Sequence, residues 1–132
     1  MIEAVVTAMM NASFNLDVLS PQIAYAAELS SQQVWMNALA QHESGSNCTL
    51  KILDTNDYYS YGKYQYQMAT WLKYSKLFGT TKQNIYSCTL QDAVTKYILD
   101  TKGSSDWYNS TLFLEKTLGS YPSSDATSST AP

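Results

Sequence analysis

Glu43 closes a helical hydrophobic pattern and is followed at once by Ser44 and Gly45, in the run His42-Glu43-Ser44-Gly45-Ser46-Asn47. Downstream lies a segment rich in tyrosine and glutamine, Ser60-Tyr61-Gly62-Lys63-Tyr64-Gln65-Tyr66-Gln67-Met68-Ala69-Thr70-Trp71. A single carboxylic acid beside rings and amides suits cleavage of a glycosidic bond: the acid protonates the leaving oxygen while flat faces and amides hold the sugar. The position of Glu43 also favours tuning. A carboxylate at a helix C-terminus faces the negative end of the helix dipole, and burial against apolar neighbours disfavours its charged form. Both effects raise its pKa, as a general acid working near neutral pH requires. The plainer alternative is a surface glutamate near a helix end. His42 reads first as a packed helix residue and second as a proton shuttle.

The element that must carry Glu43 is a helix in which Val34, Trp35, Ala38, Leu39 and His42 recur on one stripe, with Ser30 or Ser31 as cap and Gly45 as stop. Ser20-Pro21 starts an earlier short helix running to about Leu29. Residues 46–60 read as a loop pinned by Leu50, Ile52 and Leu53, and Tyr61–Gln67 as a short strand or extended loop. A helix follows from Thr70 to Phe78, stopped by Gly79. Thr89 caps another, with Leu90, Ala93, Val94, Tyr97 and Ile98 inward and Gly103 at its end. Trp107 and Tyr108 precede a last helix from Leu112 to Leu118. Trp35 and Trp71 are expected in the core, and Trp107 either there or at a cleft rim. From Ser120 the Ser/Thr/Ala/Pro composition is that of a linker or tail, able to tether the domain or meet a partner.

A chain of 132 residues suits one domain. The divisions are an N-terminal extension over 1–19 (a helix or a remnant signal), a domain over 20–119 and a tail over 120–132. A net charge of −3 and only 8 Lys and Arg argue against a nucleic-acid partner. No apolar run is long enough for a transmembrane helix. Charged residues are only 14%, so the surface leans on Ser, Thr, Asn, Gln and the 11 tyrosines. The two cysteines, Cys48 and Cys88, fit one disulfide and hence an oxidising compartment, or else two free thiols. A bridge would close a loop of about 40 residues, worth roughly 4 kcal/mol in the chain-entropy model. One His and two Cys are too few and badly spaced for a metal site, and no nucleotide fingerprint occurs, so no cofactor is expected.

Glu43-Ser44-Gly45 at a helix end, followed by Tyr61-Gly62-Lys63-Tyr64-Gln65 and Ala69-Thr70-Trp71, resembles the lysozyme-like superfamily, in particular its lytic transglycosylase (goose-type lysozyme) domains. The likeness spans roughly 20–110. Asn84-Ile85-Tyr86 and Asp106-Trp107-Tyr108 look like later parts of resuscitation-promoting-factor-like members. Met68 stands where a proline is usual, and Tyr64 and Tyr66 where apolar residues are common. The resemblance implies a mainly α, α+β lysozyme-like fold: a small helical domain with a short extended or β segment lining a glycan cleft. It implies Glu43 as catalytic acid and base, with Ser44 supporting its carboxylate and Tyr61 packing near it. Gln65 would line the groove, with Tyr64 and Tyr66 beside it as substrate contacts.

The expected activity is lytic transglycosylation of peptidoglycan at the β-1,4 bond between N-acetylmuramic acid and N-acetylglucosamine. Its partner is the glycan strand, and its place is extracellular, periplasmic or cell-wall, or virion-associated. An inverting muramidase would need a second carboxylate about 6.5–9.5 Å from the first, for which Asp54 and Asp57 are the candidates; turn or cap roles are the alternative for both. A module that binds glycan or builds a virion without catalysis is the remaining alternative.

Overall fold

The computed structural model describes residues 29–123. The helix expected from Ser20, the extension over 1–19 and residues 124–132 of the tail lie outside the described residues. The chain runs through α1 (Ser31–Ser44), β1 (Lys51–Leu53), β2 (Tyr59–Tyr61), β3 (Tyr66–Gln67), α2 (Met68–Leu72), α3 (Ser75–Phe78), α4 (Cys88–Lys102), a 3-10 turn (Ser105–Trp107) and α5 (Tyr108–Leu118). The strands form one antiparallel sheet in the order β1-β2-β3. The class is therefore mainly helical, α+β, with a small β segment.

Aromatic residues dominate the core. Trp35 and Leu39 of α1, Tyr64 and Tyr66 of the hairpin turn and β3, Trp71, Val94 and Ile98 of α4, Trp107 and Leu114 pack together. A buried indole needs an acceptor, and each tryptophan finds one on a distant carbonyl. Trp35 donates to Gly119 O (2.9 Å), Trp71 to Thr81 O (3.0 Å) and Trp107 to Tyr64 O (2.9 Å). These bonds tie α1 to the end of α5, and the 3-10 turn to the segment between β2 and β3.

Gln91 on α4 is the buried polar hub. Its amide nitrogen donates to Cys48 O (3.0 Å) and Ile85 O (2.7 Å), and its oxygen accepts from Lys63 N (2.9 Å). Cys48 and Cys88 form the disulfide beside it, with Cα atoms 5.4 Å apart. Gly62 packs against this amide at φ +82°, and any Cβ there would collide with the Gln91 side chain. Only glycine meets both demands cheaply.

Several elements differ from the sequence expectation. Residues 46–60 are not all loop, because β1 and β2 pair in register with Lys51 opposite Tyr61 and Leu53 opposite Tyr59. Ile52 and Leu53 are exposed and pin nothing. The expected strand at Tyr61–Gln67 is mostly a turn, because Gly62 and Gln65 both take left-handed backbone (φ +82° and +58°). The helix expected over Thr70–Phe78 is two short helices broken at Lys73 and Tyr74. In α1 the buried face is Gln32, Trp35, Met36, Leu39 and Ala40, while Val34 and His42 lie outside. In α4 the cap is Ser87, whose hydroxyl accepts from Leu90 N, not Thr89. There Ala93 and Tyr97 are exposed, and Gln91 and Thr95 are buried in their place. The last helix begins at Tyr108, earlier than Leu112. The first tail residues pack back: Tyr121 sets its ring edge-on to Trp35 at 5.5 Å, and Pro122 O accepts from Gln32.

Candidate active site

Helix α1 ends at Ser44 because Gly45 turns to φ +66° and Ser46 to φ +62°. The amides beyond the helix bond back to it, Gly45 N to Gln41 O (2.9 Å) and Ser46 N to Ala40 O (3.1 Å). Glu43 is thereby held in the last turn, half-buried, with its pKa raised above the ordinary carboxylate value. Burial is the main cause, and the charge of Asp54 adds to it. A hydrogen bond from Ser110 and the electrostatic pull of His42 oppose the rise without overcoming it.

Ser110 is the partner that the local pattern did not announce. It sits on α5, 67 residues from Glu43, almost wholly buried, and its Oγ donates to Glu43 Oε2 at 2.5 Å. His42 Nδ1 lies 2.6 Å from the same Oγ. Because the serine proton goes to the glutamate, the imidazole must donate to the serine oxygen. His42, Ser110 and Glu43 thus form one donor chain ending on the carboxylate. The imidazole is fixed by stacking on Phe113, with ring centroids 4.5 Å apart at 20°. The one available signal for Ser110 was its place on the buried face of α5 with Thr111 and Leu114. That it meets Glu43 depends on how α1 and α5 pack.

Ser44 does not support the Glu43 carboxylate. Its hydroxyl donates to Lys63 O (2.8 Å) and accepts from Asn47 N (3.0 Å), clamping the helix end to the turn after β2. Tyr64 and Tyr66 are core residues, 1% and 3% exposed, and offer no open face to a ligand. Tyr64 donates to Asp92 (2.6 Å), which also pairs with Lys63, and Tyr66 bonds Thr95 (2.6 Å). Burial above all pushes both phenols up. Tyr61 joins Tyr59, Tyr86 and Lys51 in a surface cluster, with the Lys51 ammonium 4.3 Å from the Tyr59 ring. Strand alternation puts Tyr59 and Tyr61 on the face opposite Ser60, and Ser60 is the residue bonded to Asp54.

Gln65 does line a cleft, of about 340 Å3, shared with Asp54, Ser60, Gln67, Lys73 and Asp106 among others. Its side chain donates to Gly62 O (2.9 Å). Asp54 is held from two sides, by the Ser60 hydroxyl and by Gln67 Nε2 at 2.9 Å. Of the two candidate second carboxylates, Asp54 is the one whose charge acts on Glu43. Asp57 occupies the exposed turn between β1 and β2 at φ +69°, the turn role expected as its alternative. Trp107 is buried, yet contributes to the cleft wall, so core and rim coincide there.

Among the described residues no group of three or more His, Cys, Asp or Glu could hold a metal ion, and no helix is long and apolar enough to cross a membrane. Comparison with protein-family models, curated proteins and solved structures finds no match to this chain.

Proposed function

We propose that the chain cleaves the β-1,4 bond between N-acetylmuramic acid and N-acetylglucosamine in peptidoglycan, with Glu43 as acid and base and no cofactor. The observation that carries this reading is the Glu43 carboxyl, half-buried at a helix C-terminus and raised in pKa while its hydrogen-bond partner is a neutral hydroxyl. A raised pKa keeps the proton on the carboxyl to higher pH than an ordinary carboxylate would, and a hydroxyl donor orients the group without locking it as an anion. Protonated Glu43 gives its proton to the glycosidic oxygen as the C1–O bond breaks, assisted by the sugar's own N-acetyl group. The resulting carboxylate then takes the proton of the C6 hydroxyl as that oxygen closes on C1. The product is a 1,6-anhydro sugar, and no water is consumed. The disulfide supports work in an oxidising compartment, at a cell wall or on a virion.

A muramidase acting on the same bond is favoured by one observation, the position of Asp54. Its charge acts on Glu43 and its carboxylate is oriented by Ser60 and Gln67, as a base for an attacking water would be.

Digestion of purified peptidoglycan by the native chain and by Glu43→Gln, read by mass spectrometry, tests both. Anhydro-muropeptides from the native chain alone are expected. Reducing-end products, one water heavier, would transfer the reaction to a hydrolase using Asp54. No product, with glycan still bound, would leave a binding or structural module.

A further inference from the structure

The Ser110 hydroxyl is a junction with one hydrogen and two claimants. Its Oγ lies 2.6 Å from His42 Nδ1 and 2.5 Å from Glu43 Oε2, and the residue is 2% exposed. A serine hydroxyl donates one hydrogen and accepts at its oxygen. Two arrangements therefore satisfy every atom. With Glu43 ionised, Ser110 donates to the carboxylate and Nδ1–H donates to Ser110. With Glu43 protonated, its O–H donates to Ser110, and Ser110 donates to a bare Nδ1. A hydrogen on both ends leaves the serine hydrogen without an acceptor, and a hydrogen on neither leaves one acceptor without a donor. Either is costly at a buried hydroxyl. The neighbouring elements add little competing charge. Helix α5 meets the imidazole with Phe113, stacked at 4.5 Å, and the carboxyl with Ser110, both neutral. Asp54, between β1 and β2, is the further charge acting on Glu43.

We infer that His42 and Glu43 share one proton across Ser110, so that the tautomer of the imidazole and the state of the carboxyl are set together. The exchange balances without a co-reactant. The Nδ1 hydrogen passes to Ser110 Oγ as the Ser110 hydrogen passes to Glu43 Oε2; an imidazolium and a carboxylate become an imidazole and a carboxylic acid. His42 is exposed, so the ring trades protons with water and connects the half-buried carboxyl to solvent. The two groups titrate as a pair. His42 is in this sense a positioning residue, acting on Glu43 through Ser110. Its bearing on cleavage rests on the glycosidase reading above. Once Glu43 has protonated the leaving oxygen, one serine hydrogen faces two bare acceptors, and the balance returns when the carboxylate takes a proton back. The sharing itself requires no glycan.

His42 is the only histidine of the chain, so nitrogen NMR of the full chain carrying 15N-labelled histidine reads it without ambiguity. At alkaline pH, with the ring neutral and Glu43 ionised, the hydrogen should sit on Nδ1, because Ser110 Oγ is there to accept it. In Ser110→Ala that acceptor is gone, and the hydrogen should move to Nε2, the form that a free histidine side chain favours. His42→Gln, at an exposed position, can still donate to the hydroxyl but cannot take the proton. The Glu43 carboxyl carbon should then titrate in a single step, at higher pH than in the native chain, since the pull of His42 on it is lost. A native ring that carries its hydrogen on Nε2 overturns the inference, as does an Nδ1 hydrogen that survives in Ser110→Ala or a carboxyl titration unmoved by His42→Gln. The native tautomer and His42→Gln decide the matter even where Ser110→Ala does not fold. A chain that cuts no glycan strand yet shows the Nδ1 hydrogen and the moved titration loses the glycosidase reading and keeps the shared proton. A chain that cuts strands with its hydrogen on Nε2 loses the shared proton alone.

Discussion

Glu43 and Asp100 both stand in the last turn of a helix, α1 and α4 respectively, yet their protonation is driven in opposite directions. Burial and the helix C-terminus disfavour the charged form at each site. At Asp100 burial would raise the pKa, but Lys96 Nζ (2.9 Å), the Tyr121 hydroxyl (2.9 Å) and Gln32 Nε2 (3.1 Å) all donate to it, and the net result is a lowered value. At Glu43 a single neutral donor, Ser110, faces a deeper burial and the repulsion of Asp54, and the pKa goes up. Helix position alone does not make an acid. What separates the two is whether a lysine ammonium pairs directly with the carboxylate, and among the described residues it does so only at Asp100.

The linkage follows from these directions. Asp100, depressed in the folded state, contributes stability that is present above its unfolded value of 3.8 and is lost as pH falls through the folded pKa. Glu43, raised from 4.5, favours the folded state most below that value, and this contribution is lost as pH rises through its folded pKa. Catalysis by protonated Glu43 should therefore decline on the alkaline side of the same raised pKa.

The largest effect expected is from Glu43→Gln, which removes the proton but keeps the shape. Strand cleavage should fall about 10²–10⁴-fold, with thermal unfolding at neutral pH no lower than that of the native chain; an active, equally stable variant would end the contrast with Asp100. Asp54→Asn comes next. It removes the charge that raises Glu43, so the alkaline limb of the pH–rate profile should move to lower pH. In a hydrolase it should also cost on the order of 10²-fold in rate, and in a transglycosylase the limb shift alone is expected. Ser110→Ala deletes the donor that stabilises the Glu43 anion. The alkaline limb should then move to higher pH, with about 1 kcal/mol lost in denaturant unfolding. The smallest effect belongs to Asp100→Asn. It should flatten the fall of stability in acid by about 1 kcal/mol or less, since the pair is partly exposed and screened; chemical denaturation followed from pH 6 to pH 3 reads it directly.

Much of the fold was legible because local patterns carry it. Trp35 and Leu39 lie one turn apart and share a buried face, and Gly45, Gly79 and Gly103 end their helices by taking positive φ. The misreadings have a common cause. Ile52, Leu53 and Val34 are apolar but exposed, while Gln91 and Thr95 are polar but buried; in each case partners distant in the chain overrule local hydropathy. Tyr64 and Tyr66 look like surface rings for a sugar until packing buries them and their hydroxyls bond Asp92 and Thr95, nearly thirty residues on.

The sequence by itself determined the setting of the candidate acid: a helix that must end at Gly45, with Glu43 in its last turn, and two cysteines able to bridge. Those features depend on neighbours within a turn or two, or on composition. Tertiary structure alone decided that Ser110 donates to Glu43, that the charge of Asp54 and not of Asp57 acts on it, and that Lys73 and Lys102 share a cleft. Hydrogen bonds and electrostatic shifts fall off over a few ångströms, so they are set by which elements pack together, a quantity no local pattern contains.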